Sequence, residues 1–141
     1  MSGVVIDAST ALAWCFPDET SVYADGVLVA LEGKTMLVPS VWSLEIANAI
    51  LVGERRKRLR QPEILRFITL LESLTVLQDT QPVGDHVINL MPLARQYNLS
   101  AYDAAYLELS IRHRAPLATL DAKLQKAAQQ AGVIIFQGGA L

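Results

Sequence analysis

The sequence predicts an α/β fold, a central parallel β-sheet of four to five short strands flanked by helices. Three observations predict it. Short apolar runs of three to five residues recur along the 141-residue chain, separated by helical patterns. These runs are apolar throughout rather than alternating, as strands buried on both faces are, and such burial is the habit of parallel sheets covered by helices. Composition is globular, with 52% hydrophobic and 18% charged residues, which excludes a disordered chain.

The elements follow in order. Val4-Val5-Ile6 is a buried strand ending at Asp7, and residues 9–15 suit a short helix broken by Phe16-Pro17-Asp18-Glu19. Residues 21–32 form an apolar-rich helix with Gly33-Lys34 as its exit. Met36-Leu37-Val38 is the second strand, and Pro39-Ser40 leads into a long helix reaching Arg58. Pro62 opens a helix over 62–73, since its missing N–H costs nothing in a first turn. Residues 74–77 are read as a third strand. A helix starts at Pro82 or Asp85 and runs to Tyr97, with Asn98 as a left-handed cap. Residues 101–113 are helical, 116–119 a strand, 121–131 a helix stopped by Gly132, and 133–136 a last strand.

Residues 1–141 read as one domain, long enough to bury roughly two-thirds of the surface the unfolded chain exposes. Net charge is 12 − 14 = −2. Nucleic-acid binding would therefore need a local basic patch or bound metal. The lone Cys15, in the apolar run Ala13-Trp14-Cys15-Phe16, forms no internal disulfide and reads as a buried small hydrophobe. The opening residues lack a basic region and carry an acid too early for a signal peptide. No apolar stretch approaches the roughly 20 residues that span a membrane. The expectation is a soluble cytoplasmic protein with no membrane partner.

Right-handed crossovers place the carboxyl ends of all parallel strands on one edge, where open α/β sheets bind ligands. Asp7 follows the first strand and Asp121 the 116–119 strand. Glu45 lies on the first turns of the helix after the second strand, and Asp103 on the first turn of its helix. Four acids far apart in sequence are thus expected to converge. Each has a plainer reading as well. Asp103 suits a first turn with Ser100 as N-cap, an acid there gaining roughly 0.3–1 kcal/mol, and Asp121 suits an N-cap. Glu45 resists the plainer reading, because Trp42, Leu44, Ile46, Ala47, Ala49, Ile50 and Leu51 make its helix look largely buried. An unpaired buried carboxylate costs several kcal/mol and wants a metal or a base. Clustered like charges raise one another's pKa unless a cation offsets them. With no His or Cys set at zinc spacing, the all-oxygen set favours Mg²⁺ or Mn²⁺, the ions of phosphate chemistry.

Val5-Ile6-Asp7-Ala8-Ser9 resembles the opening strand motif of PIN-domain proteins, and Glu45-Ile46-Ala47-Asn48-Ala49-Ile50 their second motif. Ser100-Ala101-Tyr102-Asp103-Ala104-Ala105-Tyr106 is similar to the third, and Ala118-Thr119-Leu120-Asp121-Ala122-Lys123-Leu124 to the fourth. Four motifs in order span essentially the whole chain, and in size and motif the chain looks most like the VapC-type toxins of toxin–antitoxin pairs. The resemblance implies a PIN-like fold and Mg²⁺- or Mn²⁺-dependent endoribonuclease activity. It further implies a homodimer and inhibition by a small antitoxin protein encoded alongside. By that analogy Asp7, Glu45, Asp103 and Asp121 are the catalytic, metal-holding acids. Asp7 and Asp103 would be direct ligands, with Glu45 and Asp121 either ligating or acting through water. Ser9, Asn48 and Thr119 would support them, and a carboxylate or a metal-activated water would be the base.

Arg55, Arg56, Lys57, Arg58 and Arg60 put five of twelve basic residues into six positions. They would steer RNA phosphates, or simply form a solvated helix end. Asp18-Glu19 read as an exposed turn, His86 and His113 as surface residues, and Trp14 and Trp42 as core or dimer contacts rather than base-stacking platforms. The apolar stretches 22–31 and 67–71 would supply core or a partner surface. Two readings stand beside the nuclease. One is a non-catalytic PIN-like protein- or RNA-binding module, against which the intact quartet speaks. The other is a phosphoryl-transfer domain with Asp7 as nucleophile, which lacks the expected second acid close behind.

Overall fold

Four short runs hydrogen-bond side by side, all parallel, in the order β3-β2-β1-β4. They are β1 (Gly3–Ile6), β2 (Thr35–Val38), β3 (Thr75–Gln78) and β4 (Leu117–Ala118). In this computed structural model, which describes residues 3–138, α1 (Ala8–Ala13) and α2 (Val22–Ala30) join β1 to β2. Helices α3 (Trp42–Arg55) and α4 (Gln61–Ser73) join β2 to β3, and α5 (Val83–Tyr97) and α6 (Ala101–His113) lead to β4. Helix α7 (Ala122–Gln130) follows β4. The chain builds outward from β1 to β3, then returns to place β4 on the other side of β1. The carboxyl ends of β1 and β4 therefore form a topological switch point, where such sheets open a crevice.

Continuous apolar runs make β1 and β2 the floor of the core, with Val5 and Ile6 fully buried. Across them lies α6, whose residues from Ala104 to Ser110 are all buried. A helix buried all round sits between layers. Helix α5 packs on α6 from outside and has no buried residue of its own. Cys15 is buried, and burial, with Glu63 and Glu19 nearby, pushes its thiol up to about 11. It behaves as a core hydrophobe. Among the described residues, no helix is long and apolar enough to cross a membrane.

Three expectations change. The strand expected at 133–136 shrinks to one parallel bridge, Leu117 to Ile135, flanked by hydrogen bonds from Leu117 N to Ile134 O and from Phe136 N to Leu117 O. A β4 of only two residues offers no longer partner. Helix α3 stops at Arg55 rather than Arg58, because Lys57 adopts a left-handed φ of 60° and the Arg58 amide turns back to the Gly53 carbonyl. That helix is also not largely buried. Trp42, Ile46 and Gly53 face the core, while Leu44 is 70% exposed and Leu51 46%. The fold covers one face of α3, and the opposite apolar side chains remain outside.

Candidate active site at the β1–β4 switch point

Asp7 leaves β1 with its amide still in the sheet, donating to the Ala118 carbonyl at 3.1 Å. It is the N-cap of α1. Its Oδ1 accepts from the Thr10 amide at 3.1 Å and the Ser9 hydroxyl at 2.6 Å, while its Oδ2 accepts from the Thr119 hydroxyl at 2.5 Å. Both hydroxyls also accept, Ser9 from the Leu120 amide at 3.1 Å and Thr119 from the Asp121 amide at 3.0 Å. The segment after β4 is thereby bolted to the carboxylate after β1. Asp7 is only 5% exposed. Burial pushes its carboxyl above the usual range, against the hydrogen bonds from Ser9, Thr119 and Thr10.

Asp121 caps α7 through Oδ1, which accepts from the Lys123 and Leu124 amides at 2.9 and 3.4 Å. Ser100 caps α6 by accepting from the Asp103 amide at 3.1 Å, and Asp103 stands on that first turn. The Asp103 carboxyl is raised by burial and then by the Asp121 charge, with Lys123 opposing. Glu45 on α3 accepts a short hydrogen bond from the Tyr106 hydroxyl. Burial raises its carboxyl, the Tyr106 bond lowers it, and the charges of Asp103 and Asp7 raise it again. The fields of the four acids thus overlap in a chain, Asp7 to Glu45, Glu45 to Asp103, Asp103 to Asp121.

An all-oxygen donor set carrying this much unbalanced negative charge fits a hard divalent cation in kind and in charge. In distance the donors are more open. Among the described residues, no three His, Cys, Asp or Glu side chains lie close enough together to hold a metal ion. Asn48 sits on an exposed face of α3, and among the described residues no hydrogen bond joins it to the acids. Ser9 and Thr119 both contact Asp7 directly.

Two groups at this site escaped the sequence reading. Tyr106 is 1% exposed and joins α6 to α3. Its place three residues after Asp103, on the same helical face, was the available signal. Tyr23 donates to the Phe136 carbonyl at 2.7 Å and lies within the field of Asp7. A third group lies outside the site. Arg112 donates to Asp79 (Nη2–Oδ2 2.6 Å, Nη1–Oδ1 3.1 Å) and to Glu108 (Nε–Oε2 2.8 Å), while Gln81 bridges both carboxylates. Burial pushes the Asp79 carboxyl up, but Arg112, with Gln81 and His113, overrides it and leaves the group below its ordinary value. Glu108 and Arg112 show the i, i+4 spacing of a helical ion pair. Asp79 gave no such hint.

The basic run lies at the far end of α3, ten residues or about 15 Å of helix from Glu45. Arg58 is not available to RNA there. Its guanidinium binds Asp18 at 3.0 and 3.1 Å, binds Glu19 as well, and stacks 4.4 Å above the Phe16 ring. Arg55, Arg56, Lys57 and Arg60 are exposed. Asp18 and Glu19 are exposed as expected, though paired with Arg58. Trp42 is 6% exposed in the core, and Trp14 is half-buried with its indole N–H on the Ala24 carbonyl at 2.8 Å. His86 is half-buried, and His113 is exposed 3.6 Å from Asp79.

The sequence pattern of the family described as PIN domain matches residues 4–130. Ribonuclease VapC3 of Pyrobaculum aerophilum is 29% identical over 122 residues, 86% of this chain and 91% of that protein. The crystal structure of PAE2754 from Pyrobaculum aerophilum superposes with a TM-score of 0.68 at 23% identity, covering 95% of this chain and 83% of that one. VapBC2 from Rickettsia felis, solved bound to a DNA fragment from its promoter, gives a TM-score of 0.65 at 12% identity, covering 95% and 97%. At these identities the two structures show the fold.

Proposed function

The chain belongs to the PIN-domain family, and from that premise we propose that it is a divalent-metal-dependent endoribonuclease, the toxin of a type II toxin–antitoxin pair. One observation carries the reading. Acids from four separate segments stand on the sheet edge around the β1–β4 switch point, none of them paired with an Arg among the described residues, and three have carboxyls raised above their usual range. The likeness to a VapC ribonuclease supports RNA as the substrate. The likeness to VapBC2 supports a small antitoxin partner.

Asp7 and Asp103 would hold Mg²⁺ or Mn²⁺, with Glu45 and Asp121 ligating or acting through water. When bound, the ion supplies positive charge against the scissile phosphate and makes water more acidic. The chain does the rest. Ser9 and Thr119 fix both oxygens of Asp7, so its orientation costs nothing when substrate arrives. Burial of Asp7 keeps bulk water from its carboxylate and strengthens these contacts. A carboxylate of the quartet takes the proton of the water that attacks phosphorus. Arg55, Arg56, Lys57 and Arg60 hold RNA phosphates farther along α3, and reversing them should weaken RNA binding and flatten its salt dependence. We read residues 1–141 as one cytoplasmic PIN domain that forms a homodimer, with exposed Val22, Val29 and Ile68 available to a protein partner.

A non-catalytic binding module is favoured by one observation, the open spacing of the acids. Cleavage of a structured RNA pool with added Mg²⁺ or Mn²⁺ separates the two readings. Wild-type cleavage that requires the ion and disappears in Asp7→Ala and Asp103→Asn is the expected result. Cleavage surviving both substitutions would remove the site assignment. RNA binding without cleavage or metal binding would establish the module.

A further inference from the structure

Three of the acids ride on three different elements, Asp7 after β1, Glu45 on α3 and Asp103 on α6, and one phenol lies among them. Tyr106 extends from α6, one turn beyond Asp103, and is 1% exposed. Its hydroxyl donates to Glu45 Oε1 across 61 residues of sequence. Both Glu45 and Asp7 act on the same hydroxyl as charges. Among the described residues Glu45 has no other hydrogen-bond partner, unlike Asp7, which is held by three donors.

We propose that Tyr106 is the positioning residue that sets Glu45 against Asp7 and Asp103, so that its hydroxyl, rather than its ring alone, defines the geometry of the acidic site. The inference rests on the nuclease reading above. It assigns Tyr106 no contact with RNA or with the reacting phosphate. Without the hydroxyl the ring still fills the core between α6 and the sheet, but Glu45 loses the bond that selects its rotamer. A flexible side chain with three torsions, on the first turn of a half-exposed helix, then samples orientations that do not face the other acids. Groups that orient a metal-holding side chain in this way are worth roughly 10- to 100-fold in metal affinity or activity when removed.

The test compares wild type, Tyr106→Phe, Glu45→Gln and the double variant for Mn²⁺ affinity by calorimetry, for RNA cleavage at saturating Mn²⁺, and for thermal unfolding without metal. Tyr106→Phe should weaken Mn²⁺ binding at least about tenfold while folding cooperatively. It should lower kcat with little change in KM for RNA. In the Glu45→Gln background the Tyr106→Phe change should add almost nothing, because the side chain to be positioned has lost its charge. Wild-type Mn²⁺ affinity and kcat in Tyr106→Phe would overturn the proposal, as would full additivity in the double variant. A lower unfolding midpoint with unchanged Mn²⁺ affinity would assign Tyr106 to packing alone and equally overturn it. A wild type that neither binds Mn²⁺ nor cleaves RNA would instead overturn the nuclease reading, and the positioning role with it.

Discussion

At the last turn of α6, Arg112 closes on Asp79 and Glu108; at its first turn, Asp103 feels the charge of Asp121, with Lys123 opposing, and Glu45 feels Asp103 and Asp7. Both ends of one helix gather carboxylates that are partly or wholly withdrawn from water. At the Arg112 end a guanidinium supplied by the fold matches two of them in hydrogen-bonding geometry, and Asp79 is driven below its ordinary pKa. At the Asp103 end no guanidinium among the described residues arrives, and the carboxyls of Asp7, Glu45 and Asp103 are driven up. Acids that the chain neutralises for itself hold elements together. The acids at the other end are raised by burial first and, at Glu45 and Asp103, by neighbouring acids second, which is the environment the proposed cation would relieve.

Exchanging roles at the two ends gives the largest effects. Asp103→Asn should reduce RNA cleavage by about 10²–10⁴-fold, yet leave the unfolding free energy without metal unchanged or higher, because one repelling charge is gone. Arg112→Ala should do the opposite. It strands Asp79 and Glu108 and should cost about 2–3 kcal/mol, less than a fully buried pair because a third of the Arg112 side chain is exposed. Metal binding should survive it. Denaturant titrations beside cleavage assays measure both, and equal stability losses in the two variants would erase the distinction.

Saturating metal sharpens the comparison from the other side. Mn²⁺ at about a hundred times its Kd should stabilise the wild type by about 2.7 kcal/mol. It should leave Asp103→Asn nearly unmoved, and Arg112→Ala should respond like the wild type. A wild type whose unfolding ignores Mn²⁺ would count against an external cation at the acidic end.

Acid titration probes the Arg112 end. Because the folded-state pKa of Asp79 lies below its unfolded value of about 3.9, the unfolded chain binds more protons between the two values. The stabilisation is complete above the unfolded pKa and disappears as pH falls through the folded one. Urea midpoints of wild type and Arg112→Ala should therefore differ near neutrality and converge below about pH 4. A constant gap down to pH 2 would assign the loss to packing by the Arg112 stem. The smallest effect is expected at Arg58, whose pairs with Asp18 and Glu19 are open to solvent and screened by it. Arg58→Ala should barely alter RNA affinity beside reversal of Arg55, Arg56, Lys57 and Arg60.

Local pattern determined a great deal in this chain. Apolar runs at 4–6 and 36–38 appear as β1 and β2, Pro62 and Asn98 stand where the helices they belong to begin and end, and the four acids stand at the termini of elements that share one sheet edge. Each of these is a property of a few consecutive residues, set by side-chain period, capping chemistry and the direction of parallel strands. Partnership was decided only by the tertiary structure. Thr119 reaches Asp7 across 112 residues, Tyr106 reaches Glu45 across 61, and Arg58 turns to Asp18 across 40 and so leaves the basic run. The same closure reduced the last strand to one bridge and left Leu44 and Leu51 outside. Period tells which face of a segment is apolar. What covers that face, and which charge meets which, depends on where the sheet brings distant segments together.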